Sequence, residues 1–335
     1  MRYYSSGNRR CNDSCLAVLD YRSIKYLLTI AAELILLLSL LSSCRSISEK
    51  AATESSEFEV GVPLGLIDDD RLEEVSGLVA SRNNPGMVWV HNDSGNPAEI
   101  YLLDNQAELR AIYTLGEKQR DWEDMAIGPG PVDGVTYLYV GDIGDNFTLY
   151  SEDRILRLPE PTLPSSQRIY TDTVHRIDTI TFVYPDEQWD AETLLLDPLT
   201  KNLYLLTKEM SFTQVYCLPY PQRTDTVIVA QHLLTIPFEG ENLLDRLVAG
   251  DISADGQELL LKTYQHVFYR VKAEPTLSFT DWIISPTDTL PYIAEPQGEA
   301  IGFAADGSGY YTLSESQIGR DLYLYFYPRQ SRSEQ

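Results

Sequence analysis

Short apolar runs of four to seven residues recur along residues 57–335, separated by polar turns. No stretch carries the three-to-four spacing of an amphipathic helix. Five segments open near an acidic or hydroxyl residue and continue as an apolar strand. They are Glu74-Val75-Ser76-Gly77-Leu78, Trp122-Glu123-Asp124-Met125-Ala126, Asp190-Ala191-Glu192-Thr193-Leu194, Val248-Ala249-Gly250-Asp251-Ile252 and Gly298-Glu299-Ala300-Ile301-Gly302. Each is followed by a turn rich in Gly, Pro, Asn or Asp, among them Asn83-Asn84-Pro85-Gly86, Ala254-Asp255-Gly256 and Ala305-Asp306-Gly307. Second strands are expected at 87–91, 136–140, 202–206, 258–262 and 309–313. Third strands are expected at 99–103, 154–158, 214–218, 266–271 and 322–327. Fourth strands fit the first four units, for example at 177–184 and 226–234, and the last unit runs out of chain after three.

Four-stranded units repeating about every 50 residues predict an all-β, five-bladed β-propeller. The segment 58–66 has no sheet of its own, so it is expected to supply the missing fourth strand of the last blade and remove an open edge. Six blades or a two-sheet β-sandwich are the structural alternatives.

The strand pattern begins only after a different kind of segment. Arg22 and Lys25 precede an apolar run, Leu34–Leu41, of signal-peptide rather than membrane-spanning length. It closes on Leu41-Ser42-Ser43-Cys44, which resembles the lipobox of bacterial lipoproteins. That resemblance implies a signal peptide over 1–44, lipidation of Cys44 and attachment to a membrane outside the cytoplasm, on the periplasmic face or at the outer membrane. An uncleaved anchor from Tyr26 to Ser43 is the alternative, and Glu33 makes it costly. Residues 45–56 are polar and read as a tether.

The net charge of −24 changes the list of partners. A surface this acidic repels a phosphate backbone, so nucleic acid is not expected; divalent cations are attracted. Residues 1–44 hold more basic than acidic side chains, so the acidity belongs to the strand-rich domain. Beyond Cys44 the single cysteine, Cys217, allows no internal disulfide and reads as a small packing residue.

In a propeller the first strand of each blade lines the central channel, and its start shares a face with the loop after the second strand. Ser76, Glu123, Glu192 and Glu299 thus fall at one phase around one channel. Like carboxylates at close range repel, and a hard cation with oxygen ligands, Ca2+ above all, relieves that repulsion. The fourth unit departs: aligned on its Ala-Asp-Gly turn, it has Val248 where the fifth has Glu299, and Asp251 reaches the channel only with a change of register. The loops after the second strands add Asp142, Asp145, Lys208, Lys262 and Glu315 as candidate ligand contacts on the same face. These blade starts, with Pro296-Gln297-Gly298-Glu299-Ala300-Ile301, resemble those of the SdiA-regulated periplasmic propeller family. More distantly they resemble calcium-activated nucleotidases. The resemblance implies five blades, a central calcium and metal roles for Ser76, Glu123, Glu192 and Glu299. The nucleotidase likeness fails where catalysis would be carried: an adjacent Asp and Arg are replaced here by His91-Asn92-Asp93-Ser94.

Two functions follow. One is a calcium-binding scaffold at the cell envelope that takes a protein or small-molecule ligand on the propeller face. The other is a calcium-dependent hydrolase of phosphoesters or esters, with His91 or Asp93 as general base and Lys208 and Lys262 holding an anion. Motifs for a serine hydrolase elbow, a Walker loop or a zinc protease are absent from the sequence. Four histidines make a three-His zinc centre improbable, and Trp122 beside Glu123 reads as core packing.

Overall fold

The computed structural model describes residues 57–165, 168–237, 245–316 and 321–331; the expected signal peptide, Cys44 and tether lie outside them. The first blade is built from β2 (Val75–Ala80), β3 (Val88–Asn92), β4 (Glu99–Leu103) and β5 (Leu109–Thr114). The second has β6 (Trp122–Pro129), β7 (Thr136–Asp142), β8 (Asp153–Pro159) and β10 (Asp178–Val183). The third has β11 (Ala191–Leu196), β12 (Leu203–Thr207), β13 (Phe212–Leu218) and β15 (Gln231–Pro237). The fourth has β16 (Leu247–Ile252), β17 (Glu258–Thr263), β18 (Val267–Val271) and β19 (Asp288–Leu290). The fifth has β20 (Ala300–Phe303), β21 (Gly309–Leu313) and β22 (Tyr323–Pro328), and β1 (Val62–Leu66) completes it antiparallel to β22. The inner strands β2, β6, β11, β16 and β20 touch in that cyclic order and close on β2. This is the five-bladed propeller with N-terminal closure that the sequence predicts.

Alternation along each strand explains the ring. Successive side chains leave a strand on opposite faces, and here both faces meet a neighbouring blade. Val79 and Trp89 pack toward the second blade with Met125, Leu138 and Leu156. Leu78 and Val90, one residue away from each, pack toward the fifth with Ala300, Leu313 and Leu324. Three further clusters fill the second–third, third–fourth and fourth–fifth interfaces. Inner strands therefore carry no solvated face: β2, β11, β16 and β20 are buried throughout.

The predicted turns are there for a local reason. Gly256 (φ 70°) and Gly307 (φ 73°) take the left-handed conformation that the two Ala-Asp-Gly hairpins need. Cys217 and Trp122 are core residues, 5% and 0% exposed, and burial pushes the Cys217 thiol up to about 12.

Three features depart from the expected pattern. The segment 226–234 splits: β14 (Ile228–Val229) leaves to pair parallel with β10, and only β15 joins the third blade. β9 (Tyr170–Thr173) likewise adds a parallel fifth strand to the first blade. A five-residue helix, α1 (Phe279–Ile283), capped by Ser278, seals the third–fourth interface with Phe279 and Trp282. Among the described residues no helix is long and apolar enough to cross a membrane.

Candidate metal centre at the channel mouth

Four of the five inner strands open with a register shift against their partner, at Ser76, Glu123, Glu192 and Val248. A bulged residue is left out of the ladder and its side chain is re-aimed. In the fifth blade Glu299 immediately precedes β20. The shared bulge supports the alignment that sets Val248, not Asp251, at the position of Glu299. Asp251 lies three residues further along β16, where its Oδ2 accepts from the Phe303 N–H at 2.8 Å. Asp124 does the same between the second and third blades, accepting from Met125 and Leu194 at 2.8 and 2.9 Å.

A second ring stands above the first. After the second strand of the first, second, third and fifth blades the chain returns a backbone N–H to the residue two before Ser76, Glu123, Glu192 or Glu299: Asp93 to Glu74 (2.7 Å), Ile143 to Asp121 (3.1 Å), Lys208 to Asp190 (2.9 Å) and Glu315 to Gln297 (3.1 Å). The same backbone geometry thus places Asp93, Lys208 and Glu315 around the mouth, with Asp121 and Asp190 beside them. Carboxylate oxygens of Asp93, Asp121 and Glu123 lie within 4.8 Å of one another, as do those of Glu123, Asp190 and Glu192. Glu123 belongs to both groups. It is 3% exposed, and the charges acting on it most strongly are the carboxylates of Glu192, Asp93 and Asp121.

The other half of the mouth is differently built. Lys208 places its ammonium 2.7 Å from Glu192 and 3.6 Å from Glu299, and Tyr264 donates its hydroxyl to Glu299. The mouth is therefore polarised: carboxylates crowd toward the first three blades, with Glu192 paired to Lys208 at their boundary, and a lysine and a tyrosine stand toward the last three.

Electrostatics follow this division. Burial pushes Asp121 up to about 6, Asp93 to about 7 and Glu192 to about 8, with neighbouring carboxylates adding to each shift. Glu123 is driven well above the usual carboxylate range by burial, then by Glu192, Asp93 and Asp121. Glu315 rises to about 9 by burial, with Glu299, Asp93 and Glu74 contributing. Burial alone would lower Lys208, but Glu192, Tyr264, Glu299 and Glu123 outweigh it and hold the ammonium charged. Burial first, and the neighbouring carboxylates after it, favour the protonated forms of these acids.

The donor set fits a hard divalent ion: oxygen ligands from several strands, anionic, with no sulfur and no imidazole in either group. Gly144 adds a steric argument. A Cβ there would collide with Glu123 Oε1 and lie 2.8 Å from Asp121 Oδ2, so the Glu123 carboxylate occupies room that a side chain at 144 would need.

The predicted site residues separate accordingly. Glu123, Glu192 and Asp93 gather in the carboxylate groups, and Lys208, Glu299 and Glu315 surround them. The Ser76 hydroxyl donates to the Glu123 carbonyl and so anchors that bulge. Asp142 is a brace: it pairs with Arg120 and Arg154 and accepts the Asp121 N–H at 2.7 Å. Asp145 caps its own loop at Leu149 and Tyr150, while its N–H donates to Asp190 at 2.9 Å. Lys262, fully buried, donates to the carbonyls of Gly298 and Thr263, fixing the backbone before Glu299; burial lowers its amine to about 8. His91 packs edge-on to Trp122 at 5.5 Å, and burial drops it to about 4, so it is a neutral core histidine.

Sequence reasoning missed Asp121, Asp190 and Tyr264. The first two carried a signal: Asp121-Trp122-Glu123 and Asp190-Ala191-Glu192 repeat an acid at two-residue spacing, the period that returns a strand to the same face.

No protein-family model matches this chain, and no curated protein matches it in sequence. Among solved structures it is similar to a luciferin-regenerating enzyme, with TM-score 0.43 and 10% identity over 80% of this chain and 95% of that one. It is also similar to Raptor of Chaetomium thermophilum, with TM-score 0.38 and 9% identity over 82% of this chain and 22% of that one.

Proposed function

We propose that this propeller binds a divalent cation, Ca2+ by its chemistry, at the carboxylate half of the channel mouth. It acts as a binding module on that face, held at the cell envelope by a lipid on Cys44. The observation that carries the reading is Glu123: a buried carboxylate common to two acidic groups, facing the like charges of Glu192, Asp93 and Asp121. An isolated buried carboxylate is costly unless it is paired or protonated, and a cation shared with Asp93, Asp121 and Asp190 relieves it. Carboxylates contributed by separate strands suit the adaptable coordination of Ca2+ better than the strict octahedron of Mg2+. In this reading the ion also ties the first three blades together. The fold itself is compatible with a scaffold and does not choose a ligand.

The test is calorimetric titration of the full chain in nonionic detergent with Ca2+ and with Mg2+. The expected result is saturable Ca2+ binding that Glu123→Gln abolishes. Absence of binding at millimolar Ca2+ overturns the reading. Metabolic labelling with palmitate, lost in Cys44→Ser, tests the anchor separately.

One observation favours the hydrolase as a second reading. Asp93, at about 7, is poised to exchange a proton near neutrality and stands beside the carboxylates and within the field of Lys208. Hydrolysis of p-nitrophenyl phosphate or acetate that requires Ca2+ and falls at least roughly a hundredfold in Asp93→Asn would establish it.

A further inference from the structure

The far ends of the inner strands enclose a recess of about 290 Å3 at the channel end opposite the bulges. Its walls are mostly apolar: Ile127, Pro129, Val135, Pro198 and Ile252, with one cation, Arg82. We propose that this recess binds a small organic carboxylate, its anionic head on the guanidinium of Arg82 and its short apolar tail against Ile127, Val135 and Ile252.

The chain has 50 acidic and 26 basic residues, and many of its arginines find carboxylates; Arg110, Arg120, Arg154, Arg157 and Arg329 do. Arg270, like Arg82, has a buried Nη1 without an acceptor, but it does not line the recess. The Arg82 guanidinium pairs with none of the described carboxylates, and its Nη1 is buried without any acceptor. Glu160 is adjacent but already occupied. Its oxygens take the Ser81 hydroxyl, the N–H groups of Arg82 and Asn83, and the Trp89 indole N–H. Asp251 feels the charge of Arg82, but its Oδ2 is held by the Phe303 N–H. A buried guanidinium N–H with no acceptor is destabilising, and a planar carboxylate matches its fork geometry. The volume is near the lower limit for ligand pockets, which restricts the tail to a few carbons. Hydrated phosphate would satisfy the guanidinium but leave the apolar walls unused. The inference does not rest on the cation at the other mouth.

The test is calorimetric titration of the full chain, in nonionic detergent at constant ionic strength, with sodium butyrate and separately with inorganic phosphate. The expected result is saturable butyrate binding, weakened about tenfold or more in Arg82→Gln, as loss of a charge-assisted pair implies. Undiminished butyrate binding in Arg82→Gln overturns the site. Absence of butyrate binding overturns it too, and phosphate binding alone overturns the carboxylate assignment. Should Arg82→Gln fail to fold, phenylglyoxal labelling of the unaltered chain replaces it: butyrate is expected to slow modification of Arg82, read by peptide mass, and no protection overturns the proposal.

Discussion

Proton sharing at the channel mouth makes cation binding a function of pH, and the structure sets the window. Asp121, Asp93 and Glu192 are raised to about 6, 7 and 8, against roughly 4 in the unfolded chain. A carboxyl that holds its proton more tightly when folded contributes stability that is fully present below its unfolded value. That contribution is lost as pH rises through the folded value. In EDTA the protein is therefore expected to lose stability steadily from about pH 5.5 to 7.5. Ca2+ must displace the same protons, so its affinity runs the other way. Displacing the Asp93 proton alone costs about 1.4 kcal/mol for each pH unit below 7, a tenfold change in apparent affinity per unit. A second proton, from Glu123, steepens this. Ca2+ at about a hundred times its dissociation constant adds roughly 2.7 kcal/mol, or about 5 °C in Tm for a domain of this size. The assay is thermal unfolding of the full chain with EDTA or Ca2+ across this range, with Glu123→Gln as control. A Ca2+ shift that is the same at both ends of the range, or that persists in Glu123→Gln, refutes the reasoning.

Two further outcomes are expected. Gly144→Ala should abolish Ca2+ binding, because the new methyl group displaces the Glu123 carboxylate that lies against this glycine; equilibrium dialysis reads the loss, and stability should fall only about 1–3 kcal/mol. Phe58→Ala should cost about 3–5 kcal/mol in urea unfolding. Phe58 is fully buried, edge-on to Tyr269 and Tyr310 with Arg329 over its ring, and it seats the chain beside the closing strand.

The fold was largely legible because the inner strands repeat an acidic or hydroxyl start, an apolar continuation and a turn at a regular interval. The closing role of 58–66 followed from counting strands in the last unit. β9 and β14 were not legible. Tyr170–Thr173 is mostly exposed and polar, and β14 is two residues long, so neither carries a pattern. Helix α1 is too short for its period to register. At the site, phase along the strands pointed to Glu123 and Glu192, and the two-residue spacing of Asp121 and Asp190 lay unused beside them. Tyr264 and the pairing of Lys208 with Glu192 and Glu299 depend on how far apart five blades stand across a ring, a distance no single strand encodes. His91 showed the converse: a chemically able side chain in a suggestive loop, claimed by the core.

Because β1 is hydrogen-bonded to β22, the array has no terminal blade. In an open stack of repeats the outermost unit frays first, since it has one neighbour instead of two. Here every blade is buried against two others, and residues 58–66 are the one segment that pairs the start of the described chain with its last strand. A truncation removing them would leave β22 as an unpaired sheet edge and the fifth blade joined to the first only by the packing of β2 against β20 and β21.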